Sequence, residues 1–145
     1  MKNLKQLRVG KDFTINNFKE YSKERPIFAK ATGTITTTGN PGNNETFTLT
    51  NASGTAVTFV FKTGVTTVDG TKDGDNVIIG TSGATGNADT VGDRIRTAIG
   101  NGGLGMTITE TSSGVMELTQ NTFGPPGNTV IDMSSVATTT ATNFV

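Results

Sequence analysis

Three carboxylates and an amide fall close together at Asp69, Asp73, Asp75 and Asn76. Hard oxygen donors in a glycine-punctuated loop are what a calcium ion requires. The spacing departs from the helix-loop-helix calcium motif, which wants acidic or amide residues at alternate positions, then a glycine and a distal glutamate. Residues 69–76 therefore read first as a solvated loop, with calcium as a chemistry to test by titration. A second candidate, Gly100 to Gly105, has the glycine density of a phosphate cradle. Such a cradle follows a strand and opens a helix, so that backbone N–H groups point at the anion. This stretch follows a predicted helix and enters a strand, so it reads as a connection. Ser82 and Ser112 offer hydroxyls, but the chain has no His to serve as their base. It has no Cys either, which removes thiolate chemistry and disulfides. The remaining carboxylates are scattered over loops and strand ends. No cofactor is expected, and the sequence does not read as that of an enzyme.

The other chemically distinct stretch is the N-terminus. Residues 1–30 carry Lys2, Lys5, Arg8, Lys11, Lys19, Lys23, Arg25 and Lys30 against Asp12, Glu20 and Glu24. From Ala31 onward the balance reverses, with Lys62, Lys72, Arg94 and Arg96 against nine acidic residues. A formal net charge of zero thus conceals a basic arm, residues 1–30, on an acidic body, residues 31–145. Leu7, Phe13, Phe18, Tyr21, Ile27 and Phe28 are interleaved with the charges, and a solubilising tail has little use for them. Asp12 or Thr14 can cap a short helix in which Ile15, Phe18 and Tyr21 recur every three residues, and Pro26 stops it. The arm is expected to dock on a protein through Lys2, Lys5, Leu7, Arg8, Lys11, Phe13, Phe18, Tyr21, Lys23, Arg25 and Phe28. Nucleic acid is the weaker partner: its bases could stack on the aromatics, but the acidic body repels a polyanion.

The elements that must carry these residues are mostly strands. The chain has 145 residues, 19 of them Gly, and only 32% are hydrophobic, which predicts one domain with a thin core. Thr34 to Thr38 reads as a strand with Ile35 inward, ended by the turn Asn40-Pro41-Gly42. Glu45 to Thr50 places Phe47 and Leu49 on one face, and Thr55 to Lys62 returns with Val57, Phe59 and Phe61, a hairpin. Thr63 to Asp75 is loop-like, with Val65 and Val68 its larger apolar residues. Asn76 to Gly80 is too short to tell an edge strand from a buried one. Asn87 or Asp89 caps a helix over 87–99 whose Ala88, Val91, Ile95, Ala98 and Ile99 share a face, with Gly100 as its left-handed end. Met106 to Thr111 and Val115 to Thr119 form a second hairpin. Phe123-Gly124-Pro125-Pro126-Gly127-Asn128 is a rigid bend, and Thr129 to Asp132 a last clear strand. Residues 133–145 are either an edge strand or a second docking tail, with Phe144 and Val145 as possible anchors. The expected fold class is α+β, mostly β: an antiparallel sheet of hairpins with one covering helix. No apolar run is long enough for a secretory signal or a membrane span, so synthesis in a cytoplasm and no membrane partner are expected.

The body also resembles a small domain of structural proteins of tailed bacteriophages and marine phages, found in head decoration or cement proteins and in tail-fibre modules. The residues that carry the resemblance are Ala-Thr-Gly-Thr-Ile-Thr at 31–36, Thr-Phe-Thr-Leu-Thr at 46–50 and Val-Thr-Phe-Val-Phe at 57–61. The helix over 87–99 and Thr-Phe-Gly-Pro-Pro-Gly-Asn-Thr-Val-Ile at 122–131 complete it. The resemblance implies a capsid decoration protein on the virion head surface whose arm bridges neighbouring capsid subunits. Its expected partners are the major capsid protein and neighbouring copies of itself, in a homo-oligomeric or lattice-bound state. The alternative it leaves is a tail-fibre or adhesin module that binds a host-surface receptor.

Overall fold

The computed structural model describes residues 28–64, 69–84 and 86–145. In chain order the elements are β1 (Lys30–Thr37), β2 (Thr46–Thr50), β3 (Ala56–Lys62), β4 (Lys72–Asp73) and β5 (Asn76–Gly80). They continue with α1 (Ala88–Asn101), β6 (Thr107–Ser112), β7 (Val115–Phe123), β8 (Ile131–Asp132) and β9 (Thr139–Thr142). The class is the expected one, α+β and mostly β. The strands are divided between two sheets, ordered β6-β7-β1-β9 and β4-β5-β3-β2-β8. The first sheet is antiparallel throughout, whereas β3 and β5 of the second run parallel.

The β2–β3 hairpin forms where alternation predicts it, with Phe47 opposite Phe59 and Leu49 opposite Val57. Cross-strand partners project from the same face. Phe47 and Phe59 accordingly stack at 4.9 Å between centroids, and Phe61 leans on Phe47 at 5.7 Å. Ile35, Met116 and Leu118 on the inner face of the first sheet join Phe47, Leu49, Phe59, Phe61, Val77 and Ile79 of the second in one core. α1 contributes Val91, Ile95, Ala98 and Ile99, and contacts β5 on one side and β1, β6 and β7 on the other. It therefore closes one flank between the sheets. On the opposite flank β8 and β9 come together.

Of the polar side chains buried among the described residues, Gln120 is the largest. Gln120 is 1% exposed; its Nε2 donates to the Thr50 carbonyl and to Thr129 Oγ1, both at 3.0 Å, and its Oε1 accepts from Ala52 N–H at 3.0 Å. A buried amide is tolerated when its donors and acceptors are matched. Gln120 thereby ties β7 of one sheet to the β2–β3 turn of the other.

Two boundaries differ from the sequence expectation, and one open choice is settled. α1 runs on through Gly100 to Asn101; Gly102 N–H donates to Ile99 O, and the left-handed residue is Gly103 at φ 78. A Cβ at Gly102 would lie 3.0 Å from Cζ of Phe59, so this glycine lets the helix end sit on the aromatic core. Of the strand expected over 129–132 only Ile131–Asp132 pairs, and it is not the last: Thr139–Thr142 follows as the edge of the first sheet, with Phe144 buried beyond it. Asn76–Gly80 is an interior strand of its sheet, with Val77 and Ile79 in the core. The helix expected within the arm and Val65 and Val68 lie outside the described residues.

Candidate docking interface

The end of β1 from which the arm departs is built by a bend and by the last residues of the chain. Lys30 stands opposite Phe123 on β7, and its Nζ lies 5.3 Å from the centroid of that ring. The register shifts between Lys30 and Thr32, so β7 bulges there. Beyond the bulge Gly124 turns the chain at φ 85, a region costly for residues with a Cβ. Pro125 and Pro126 fix φ and lead into a 3-10 turn over Pro125–Gly127, whose Gly127 N–H donates to Gly124 O at 3.0 Å. The bend holds the arm root directly: Gly124 N–H donates to Ala29 O at 3.0 Å, and a Cβ on Gly124 would lie 3.1 Å from Cδ1 of Phe28.

On the other side of β1, Thr32 and Val145 exchange both backbone hydrogen bonds at 3.1 Å. Phe144 N–H donates to Thr129 O at 3.1 Å, and Ile131 N–H donates to Asn143 Oδ1 at 2.9 Å. Four segments, around residues 28, 123, 130 and 145, are thus tied to one another at a single end of the body. The exposed large hydrophobic residues among those described are Phe28, Phe123, Val130 and Val145, at 54, 62, 63 and 82% of full exposure. All belong to these segments. Elsewhere the outward face of the first sheet is mostly hydroxylic, with Thr34, Thr36, Thr107, Thr109, Thr119, Thr140 and Thr142 in rows that also hold Glu117 and Val115. Thr34 and Thr142 pair through their hydroxyls at 2.7 Å. On β8 of the second sheet, the Ser134 hydroxyl and N–H hold the Asp132 carboxyl below the ordinary value.

Of the residues expected to dock, Phe28 is described, and it lies in this patch. Lys2, Lys5, Leu7, Arg8, Lys11, Phe13, Phe18, Tyr21, Lys23 and Arg25 lie outside the described residues. Phe123 was legible only as part of a bend and Val145 only as a possible anchor. No local pattern marks either as exposed, because folding brings the start of β1 to segments about a hundred residues later in the chain.

The other candidates are placed plainly. Asp69 Oδ1 accepts from Gly80 N–H at 2.7 Å, while Asp73 and Asp75 belong to the exposed β4–β5 turn. Burial pushes the Asp69 carboxyl up, against the opposing pull of the Gly80 N–H and the Arg94 charge. The Asp69 carboxylate is thus taken up by a strand end, and among the described residues no three His, Cys, Asp or Glu side chains are grouped to hold a metal ion. Gly100 ends up inside α1, and the rest of the stretch, Gly102–Gly105, leads from α1 toward β6, the connection its polarity predicts. Ser82 lies in the turn after β5 and Ser112 at the exposed end of β6. Among the described residues no helix is long and apolar enough to cross a membrane.

Among the described residues the geometry is that of a two-sheet β body with one flank-closing helix and exposed apolar side chains near its first described residue, Phe28. No protein-family model, curated protein or solved structure matches the chain.

Proposed function

We propose that the chain is a structural protein of a bacteriophage virion, a decoration or cement protein that binds the outer surface of the head. In this reading residues 1–30 dock on the major capsid protein and bridge neighbouring subunits, and the two-sheet body is the cap they hold in place. The observation that carries it is convergence: the basic, aromatic-bearing arm leaves the body at the end where its exposed hydrophobic residues gather. A body with few exposed aromatic side chains offers little hot-spot area to an interface that typically buries about 800 Å² on each partner. An arm adds reach, since 27 extended residues span roughly 90 Å at about 3.3 Å each. Tethering two contacts together also raises the effective concentration of the second. The phage resemblance of the strand, helix and bend motifs points the same way.

The test is co-sedimentation of the purified protein with expanded empty heads of the phage that encodes it. The full chain is expected in the pellet and a chain lacking residues 1–27 in the supernatant, with unchanged circular dichroism. Equal pelleting of the two would remove the arm from the account. Binding to host cells in place of heads would favour the tail-fibre reading.

A further inference from the structure

We infer that Phe123 and Val145, with Phe28 beside them, form a second contact with the protein surface that the arm binds, a folded capsid subunit presenting an apolar depression. This rests on the proposed function and adds to it a face of the body and an orientation. The argument is one of continuity. The chain enters the body at Phe28, and Ala29 O is held by Gly124, so a partner that takes the residues next to Phe28 comes up against this end. Phe123 and Val145 project from the same outward face, because Phe123 is directly opposite Lys30 and Val145 opposite Thr32.

The rim suits a protein contact. Lys30 remains over the Phe123 ring, the hydroxyls of Thr32 and Thr119 lie inboard, and Pro125 and Pro126 stiffen the bend without offering N–H groups. Rigid apolar anchors ringed by polar groups are the composition of interface hot spots. The competing site for a partner is the edge of β6, where an added strand could pair. Glu110 stands opposite buried Met116 and so turns its carboxylate inward from that edge strand, a device that discourages strand addition.

The experiment uses the full chain carrying Phe123→Ser and Val145→Thr together, with Thr109→Lys on the hydroxylic part of the same sheet as the control. Binding to expanded heads is read as the concentration giving half-saturation in the pellet. The double variant is expected to need tenfold more protein or higher, and the control the wild-type amount, with thermal midpoints of all three alike. Wild-type binding with an unchanged double variant overturns the second contact and leaves the arm reading standing. Failure of the wild type to bind overturns both. A wild-type dimer in sedimentation velocity that the double variant dissociates would assign the patch to a second copy of this chain and also overturn the inference. Should the variant not fold, a photo-crosslinking amino acid at position 123 of the full chain serves instead: crosslinks to the capsid protein support the contact, and their absence on decorated heads sinks it.

Discussion

The two ends of β1 are built by opposite means. At its C-terminal end Thr37 N–H donates to Gly114 O at 2.9 Å, and Gly114 lies against Ala88 at the start of α1, with Gly92 one turn along. A Cβ on Gly114 would come within 2.7 Å of Thr37 O, and one on Gly92 within 3.2 Å of Gly114 Cα. Small residues let strand, turn and helix close on one another there. At the N-terminal end Lys30 meets a bulge and a proline bend, and four large apolar side chains stay in water. A closed end needs no partner; an end with exposed Phe and Val residues gains from one. The difference gives the body a direction, with Phe28 and the exposed apolar residues on one side and the β6–β7 turn on the other.

The closed end should break most easily. Gly114→Val places a branched side chain at φ 71 against backbone. Backbone strain and overpacking together are expected to cost about 3 kcal/mol or more, read as a shift in the urea midpoint. A cost under about 1 kcal/mol would mean that this end is looser than described.

Between the ends, Gln120→Leu removes the amide that ties the two sheets. Ala52 N–H loses its acceptor and Thr129 Oγ1 loses a donor. The expected loss is about 2 kcal/mol, the desolvation cost of unsatisfied buried groups. A neutral result would show that the sheets are held by the apolar core alone.

At the open end Phe123→Ser should hardly matter to the isolated protein. With 62% of the residue exposed, the urea midpoint should move by no more than about 0.5 kcal/mol in stability. A larger loss would show Phe123 to be a structural residue and would blur the contrast between the two ends.

The smallest effects are electrostatic and differ in sign. Burial raises the Asp69 pKa, so its contribution to stability is fully present below the ordinary value of 3.8 and is lost as pH rises through the raised folded value. Asp69→Asn keeps an acceptor for Gly80 N–H and removes the desolvated charge, so at neutral pH it should be no less stable than wild type. The Ser134 contacts lower the Asp132 pKa, so its contribution is present above 3.8 and is lost as pH falls through the lowered folded value. Acid titrations of Asp69→Asn and Asp132→Asn, followed by thermal midpoint, should therefore bend away from wild type in opposite directions.

Much of this body was legible in its sequence. Phe47, Leu49, Val57, Phe59 and Phe61 alternate, and alternation fixes a hairpin and its inward face. Asn87 caps α1 as expected, its Oδ1 accepting from Asp89 N–H at 3.0 Å, and Val91, Ile95 and Ala98 recur at helical spacing. What stayed hidden depends on distant pairing. Thr139–Thr142 has no alternation to announce it; it is a strand because β1, a hundred residues earlier, offers an edge. The parallel pairing of β3 and β5 was masked by the polar connection at 63–75, which supplies β4 as well. Gln120 looks like any polar residue at a strand end until Thr50, Ala52 and Thr129 surround it. For the docking site, the arm's charge and aromatics were plain, whereas the patch beside its root needed Phe28, Phe123, Val130 and Val145 to be brought together by folding.

The most direct test of the account is a cryo-electron microscopy map of heads saturated with the full chain. The account predicts the bend at Phe123–Gly127 and Val145 against the shell, with density for residues 1–27 running from Phe28 over neighbouring capsid subunits and the β6–β7 turn at Ser113 facing solvent. The reverse orientation, with Ser113 against the shell and Phe123 in solvent, would contradict it.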